Sequence, residues 1–112
     1  MGFVHAKKKV MHMKFIGYYK EFNPKSNNPS ITEAFSEKPY PGKDKVVAYL
    51  KKGTPGVVCT QIPHDVVTGK VIPLEDIIMG DGTFVWPLIL AYYVDKYNVR
   101  LPLEFEQVAL SN

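Results

Sequence analysis

A chain of 112 residues has the size of one domain, and 46% hydrophobic with 22% charged residues excludes a wholly disordered chain. Cys59 is the single cysteine, so an intramolecular disulfide is excluded and the cytoplasm is the favoured compartment. The net charge is +3, but basic and acidic residues are unevenly distributed along the chain. Residues 1–64 hold 11 lysines against four acidic side chains, which gives +7, whereas residues 65–112 hold three basic against seven acidic side chains, which gives −4. Such a separation of charge can steer association with charged partners.

The chain begins with "MGFVHAKKKVMHMKFIGYY", in which three lysines precede a short, interrupted apolar run. A secretory signal contains a continuous hydrophobic stretch of about 7–15 residues, so we expect no export signal. We interpret residues 1–12 as a flexible N-terminal arm and residues 13–112 as a single α+β domain. Within this domain, the aromatic and β-branched residues of 14–21 indicate a strand, and the following "NPKSNNPS" indicates a loop.

Helix signals follow the loop. Ser30 and Glu33 have the spacing of a capping box, which predicts a short helical turn over 31–35. In "KDKVVAYLKKG", hydrophobic residues recur at helical spacing, two lysines occupy the last turn and Gly53 follows. This pattern predicts a helix over 43–52.

Strand signals occupy the centre of the chain. "TPGVVCTQIP" is a β-branched run bounded by turn formers, and "DVVTGKVIP" has two strand-like arms around Thr68-Gly69. Gly80-Asp81-Gly82 predicts a further tight turn, because Asp-Gly readily adopts the positive φ angles that such turns need. We therefore expect a strand, a hairpin and a second turn between strands.

The stretch "WPLILAYYVDKYNVRLPLEF", residues 86–105, predicts two helices. Pro87 fits the first position of a helix that ends at Asn98, and Pro102 fits the start of another. We expect the second helix to bury Phe105 and to expose Glu106. The apolar run over 83–94 is shorter than the roughly 20 residues that a bilayer requires, so we expect no membrane anchor.

Together these patterns predict an α+β fold. We expect a small antiparallel sheet of three to five strands, on which two C-terminal helices and one or two short N-terminal helices pack.

Candidate catalytic groups are few. Cys59 and His64 are close in sequence and define the hypothesis of a small hydrolase, but a cysteine within a strand of valines is more typical of a small buried hydrophobic residue. The three histidines lack the spacing of metal ligands, and "GDG" lacks the further glycines of a phosphate-binding loop. We therefore expect no enzyme, no cofactor and no metal site.

Two charged sets suggest binding surfaces. Lysines 7–9, 14, 20 and 25, beside aromatic residues at 15, 18 and 19, form a possible nucleic-acid footprint, although the chain has almost no arginine. The other set is acidic and would hold a basic partner by charge steering, with two tyrosines as anchors. Its members are Asp65, Glu75, Asp76, Asp81 and Asp95, with Tyr18 and Tyr40.

Three stretches carry a family resemblance: "MKFIGYYKEF" at 13–22, "DVVTGKVIP" at 65–73 and "DGTFVWPLILAYYVDKYNVRLPLEF" at 81–105. They resemble small bacterial immunity proteins that accompany contact-dependent growth-inhibition and other polymorphic toxins. The resemblance implies a protein that binds a cognate toxin domain, often a nuclease, in the cytoplasm and blocks its active site. Immunity proteins against nucleases tend to be acidic, so a net charge of +3 implies either that the acidic half faces the toxin or that the target is not a basic nuclease. Nucleic-acid binding through the lysine-rich half is the alternative.

Overall fold

The computed structural model describes residues 13–112, so the predicted N-terminal arm, residues 1–12, lies outside the described residues. Within residues 13–112 there is one sheet and four helical segments. The strands are β1 (Lys14–Phe15), β2 (Thr54–Val58), β3 (Ile77–Gly80) and β4 (Phe84–Pro87), and the helices are a 3-10 helix (Ile31–Ala34), α1 (Lys43–Lys52), α2 (Leu90–Tyr97) and α3 (Leu103–Leu110). The predicted α+β class, with two helices at the C-terminal end, is confirmed.

The sheet has the strand order β1-β4-β3-β2 and is mixed. β2 and β3 pair antiparallel, as do β3 and β4, whereas β1 runs parallel to β4. The expectation of a purely antiparallel sheet is wrong at this one pairing. Residues 16–83 lie between β1 and β4, so no tight turn forces the two strands into opposite directions.

The structure contains the predicted capping box, the predicted helix end and the predicted turn between two strands. Ser30 and Glu33 form the predicted capping box at the 3-10 helix. Asn98 ends α2 in the left-handed conformation, with φ of 55°, and residues 81–83 connect β3 to β4. The predicted strand over 14–21 is shorter, because Gly17 adopts a φ of 74° with Leu90 packed against it and so turns the chain after β1.

Two predicted elements differ from the structure. The proposed hairpin over 65–73 is a turn closed by one isolated bridge, between His64 and Val71. Pro87 ends β4 rather than beginning a helix, because the backbone N–H of Leu88 still donates to the carbonyl of Ile77 at 2.8 Å and so extends the strand pairing. α2 consequently begins at Leu90.

The core lies between the sheet and the helices, and Trp86 is at its centre. The fully buried Trp86 ring lies 5.3 Å from that of Phe105, centroid to centroid, at an interplanar angle of 66°. Its indole N–H donates to the carbonyl of Leu50 at 3.0 Å. A single side chain therefore connects β4 with both α1 and α3.

Glu106 was expected to face water, but the residue is only 3% exposed. Arg100 donates to both oxygens of its carboxylate, at 3.0 and 2.7 Å, and the backbone N–H of Leu101 donates at 3.0 Å. The hydrogen bonds from Arg100 hold the pKa of Glu106 below its usual value, although burial opposes them. α3 begins directly after Pro102, so Glu106 lies in its first turn. Its carboxylate therefore reaches Arg100 and Leu101 in the loop that precedes the helix.

Across residues 13–112, no helix combines the length and hydrophobicity needed to cross a membrane.

Candidate protein-binding cleft

A cleft of about 910 Å³ opens beside the C-terminal end of β2. Its apolar lining includes Phe22, Val58, Ile62, Val66, Ile78 and Ile89. Tyr18, Glu21 and Asp76 add polar groups, and none of the described residues that line the cleft is a lysine or an arginine. The cleft is therefore a mostly apolar depression whose lining includes two acidic residues, Glu21 and Asp76.

Residues 59–63, named here the 59–63 ridge, form one wall of the cleft. The ridge is fixed at both ends by backbone hydrogen bonds: Cys59 N–H donates to the Asp76 carbonyl at 2.7 Å, and Ile72 N–H donates to the Pro63 carbonyl at 2.9 Å. A smaller depression of about 360 Å³, lined in part by Leu74 and Glu75, lies along the ridge as well. The 59–63 ridge therefore contributes residues to the lining of both depressions.

Hydrophobic side chains are unusually exposed along β2 and the ridge. Val57 is 64% exposed, Val58 is 60% exposed and Ile62 is 67% exposed. A single exposed valine is ordinary on a protein surface, but several neighbouring ones at the rim of a cleft are typical of an interaction site. Sequence reasoning missed these residues because a β-branched run looks the same whether its strand is central or at an edge.

The acidic side chains at the ridge are available to a partner. Neither Glu75 nor Asp76 makes a side-chain hydrogen bond or an ion pair with any other residue in 13–112. Burial raises the pKa of Tyr18, and the neighbouring carboxylate of Asp76 raises it further, so the Tyr18 hydroxyl stays protonated. By contrast, the carboxylate of Glu21 accepts hydrogen bonds from Ser30 Oγ and from Ile31 N–H, the latter at 2.8 Å, and holds the 3-10 helix.

Asp65 has a different environment from the one expected of a surface residue, because its side chain is fully buried. Its Oδ2 accepts from the hydroxyls of Tyr92 and Tyr97 at 2.7 and 2.6 Å, and its Oδ1 accepts from the N–H groups of Val67 and Thr68 at 2.7 and 3.1 Å. Burial raises the pKa of Asp65, but these hydrogen bonds outweigh it and hold the pKa well below its usual value. Asp65 therefore anchors the turn over 65–70 to α2 and presents no carboxylate to a partner.

Three further predicted site residues lie away from the cleft lining. Asp81 accepts from Tyr49 Oη at 2.6 Å and from the N–H groups of residues 83 and 84, so it fixes the β3–β4 turn. Tyr40 donates to the Val99 carbonyl at 2.8 Å, and burial raises its pKa to about 12. Asp95 is exposed on α2. Of the seven predicted residues, only Tyr18, Glu75 and Asp76 gather around the ridge.

Cys59 was expected to be buried, and this is wrong, because the thiol-bearing residue is exposed. β2 lies at the edge of the sheet and all five of its residues are exposed, so Cys59, which follows the strand, is not covered either.

Cys59 and His64 both line the cleft, but they make no hydrogen bond with each other. No group of three or more histidine, cysteine or acidic side chains within residues 13–112 is placed to hold a metal ion.

Nucleic-acid binding through the lysine-rich N-terminal half is the alternative prediction, and some lysines of this half contact other residues of the protein. Lys14 pairs with Glu104 at 2.9 Å, and Lys43 donates to the carbonyl of Asp95 at 2.9 Å. Lysines 7–9 lie outside the described residues. Nucleic-acid binding stays a prediction.

Comparisons of the chain with models of protein families, with curated proteins and with solved structures find no match.

Proposed function

We propose that this protein is a bacterial immunity protein that binds a cognate toxin domain in the cytoplasm and blocks its active site. The toxin is proposed to be a nuclease, and the cleft with the 59–63 ridge is the proposed toxin-binding surface. The observation that supports this proposal most is the combination of an apolar lining, an unpaired carboxylate at Asp76 and no lysine or arginine among the lining residues.

This arrangement fits recognition of a basic protein. A typical interface has an apolar centre that excludes water and a polar rim that selects the partner. Here Val58 and Ile62 supply exposed apolar area, while Glu75 and Asp76 supply negative charge beside it. Since nuclease domains present basic groups to their substrates, the carboxylates of Glu75 and Asp76 beside the 59–63 ridge are suited to steer the protein towards such a surface. The overall charge of +3 does not oppose this, because the local charge at the cleft is negative.

Reversing the charge at the cleft should weaken toxin binding. We expect Asp76→Lys to raise the Kd about tenfold or more for the C-terminal domain encoded by the open reading frame immediately upstream, because it places a cation where a basic partner binds. Calorimetric titration of the purified domains measures this change.

The matched control is Asp95→Lys, which makes the same charge change at an exposed position outside the cleft. It should leave the Kd within about twofold of the unaltered protein, as expected for a remote surface charge. Equal effects of the two substitutions would mean that long-range charge, and not the cleft, determines binding. No effect of either one would place the toxin on another surface.

A further inference from the structure

One half-buried carboxylate in the cleft has no partner. The side chain of Asp76 makes no hydrogen bond or ion pair with any other residue in 13–112. Every fully buried side-chain oxygen among these residues has a partner, so the Asp76 oxygens are open to solvent. The backbone at this position is fixed, because the Asp76 carbonyl accepts from Cys59 N–H at 2.7 Å. A carboxylate held in place and partly removed from water favours the binding of a cation.

Tyr18 is the second free acceptor in the cleft. Its hydroxyl makes no hydrogen bond with another residue in 13–112, and burial and the neighbouring Asp76 both raise its pKa, so it stays protonated. A protonated hydroxyl still has lone pairs that accept a hydrogen bond from a cation. Glu21 is not available in this way, since its carboxylate already accepts from Ser30 and Ile31.

The apolar part of the lining suits the aliphatic part of a basic side chain. Val58 and Ile62 are exposed, and Ile78 and Ile89 line the same cleft. Lysine and arginine both bury their methylene groups against apolar surface while the charged end reaches a carboxylate. Arginine fits better, because its guanidinium is planar, is more weakly hydrated than an ammonium and donates to both oxygens of one carboxylate.

We propose that an arginine side chain of the toxin domain enters the cleft, where its guanidinium binds the Asp76 carboxylate and the Tyr18 hydroxyl. Its methylene groups then pack against Val58 and Ile62. Charge complementarity supports this occupant, since no described residue of the lining is a lysine or an arginine. The identity of the partner rests on the proposed immunity function, but binding of a guanidinium by the cleft can be measured without the toxin.

Titration of the full chain with acetyl-arginine methylamide, followed by NMR, tests the site by itself. We expect saturable shift changes at residues 18, 58 and 76, with a Kd of roughly 1–10 mM for so small a ligand. Asp76→Asn should raise this Kd at least about fivefold and Tyr18→Phe about twofold, because they remove the charge and the hydroxyl acceptor. The matched control Asp95→Asn removes an exposed carboxylate outside the cleft and should leave the Kd unchanged.

Two further probes identify the group that is recognised. Acetyl-norleucine methylamide keeps an aliphatic chain without a charge and should cause no saturable change at these residues. Acetyl-lysine methylamide keeps the charge without the planar guanidinium and should bind at least about threefold more weakly than the arginine probe. The proposal is overturned if the arginine probe causes no saturable change, or if either of the other probes binds equally well.

A double-mutant cycle shows whether the toxin uses this site. Each arginine of the C-terminal domain encoded by the upstream open reading frame is replaced by alanine, and the Kd is measured with the unaltered protein and with Asp76→Asn. For one arginine variant, Asp76→Asn should add less than about a twofold effect, whereas for the others it should weaken binding at least about fivefold. A domain that binds with no arginine coupled to Asp76 overturns this proposal and leaves immunity intact. A domain that does not bind overturns the immunity function itself.

Discussion

Replacing Asp65 with asparagine is expected to lower the free energy of unfolding by about 3 kcal/mol, as is usual when a buried charged network loses its central member. The buried carboxylate accepts hydrogen bonds from two tyrosine hydroxyls and two backbone N–H groups, and Lys96 Nζ lies 3.3 Å from Oδ2. An asparagine amide removes the negative charge and turns two N–H donors towards groups that are themselves donors. Urea-induced unfolding measures the loss.

The control for this substitution is Asp95→Asn, which removes a carboxylate from an exposed position of α2. Surface substitutions of this kind change stability by less than about 0.5 kcal/mol. Equal stability of the two variants would contradict the role of Asp65 as an interior anchor.

The same carboxylate makes stability depend on pH. Because the folded-state pKa of Asp65 is lowered, its contribution is present above the unfolded pKa of about 4 and is lost as the pH falls below that value. The free energy of unfolding of the unaltered protein should therefore decrease below about pH 4, and Asp65→Asn should show a shallower decrease. Some dependence should remain, since the pKa values of Glu21, Asp81 and Glu106 are lowered too. An equally steep decrease in both proteins would contradict this assignment.

Truncating Trp86 to alanine should cost about 4 kcal/mol, the usual range for a large aromatic side chain in a core. The ring is fully buried, packs against Phe105 and leaves no room for a side chain at Gly53, where an added Cβ would lie 2.7 Å from the indole. Its loss also leaves the Leu50 carbonyl without the indole N–H. Thermal and urea-induced unfolding measure the effect.

Two further variants separate the causes of this loss. Trp86→Phe keeps an aromatic ring but removes the N–H group, so it should cost clearly less than the alanine variant. Phe15→Ala removes an aromatic side chain that is mostly exposed, and should cost less than about 1 kcal/mol. A cost of Trp86→Ala no larger than that of Phe15→Ala would show that Trp86 does not hold the core together.

The features that could be predicted from the sequence are those that local backbone chemistry determines. The capping box at Ser30, the helix end at Asn98 and the tight turn at 80–82 each depend on a few neighbouring residues, and all three are found in the structure. The parallel pairing of β1 with β4 could not be predicted, because it joins residues that are distant in sequence and no turn links them.

Burial could be predicted less well, since it depends on position in the sheet. The predictions for Cys59 and Glu106 are wrong in opposite directions. Cys59 is exposed because it follows a strand at the edge of the sheet, and Glu106 is buried because Arg100 and the Leu101 N–H donate to its carboxylate. The charge pattern of the sequence predicts that Asp65 and Asp76 both contact a basic partner. In the structure only Asp76 lines the cleft, whereas the side chain of Asp65 is buried.

Growth of a bacterial culture shows whether this protein confers immunity. The C-terminal part of the product of the upstream open reading frame is expressed in the cytoplasm, with this protein or one of its variants produced beside it. We expect the unaltered protein and Asp95→Lys to restore growth, and Asp76→Lys to restore it poorly. If the unaltered protein does not relieve the toxicity, or if the neighbouring product is harmless by itself, the protein is not an immunity protein for that product, and oligonucleotide binding at varied salt concentration is the next test.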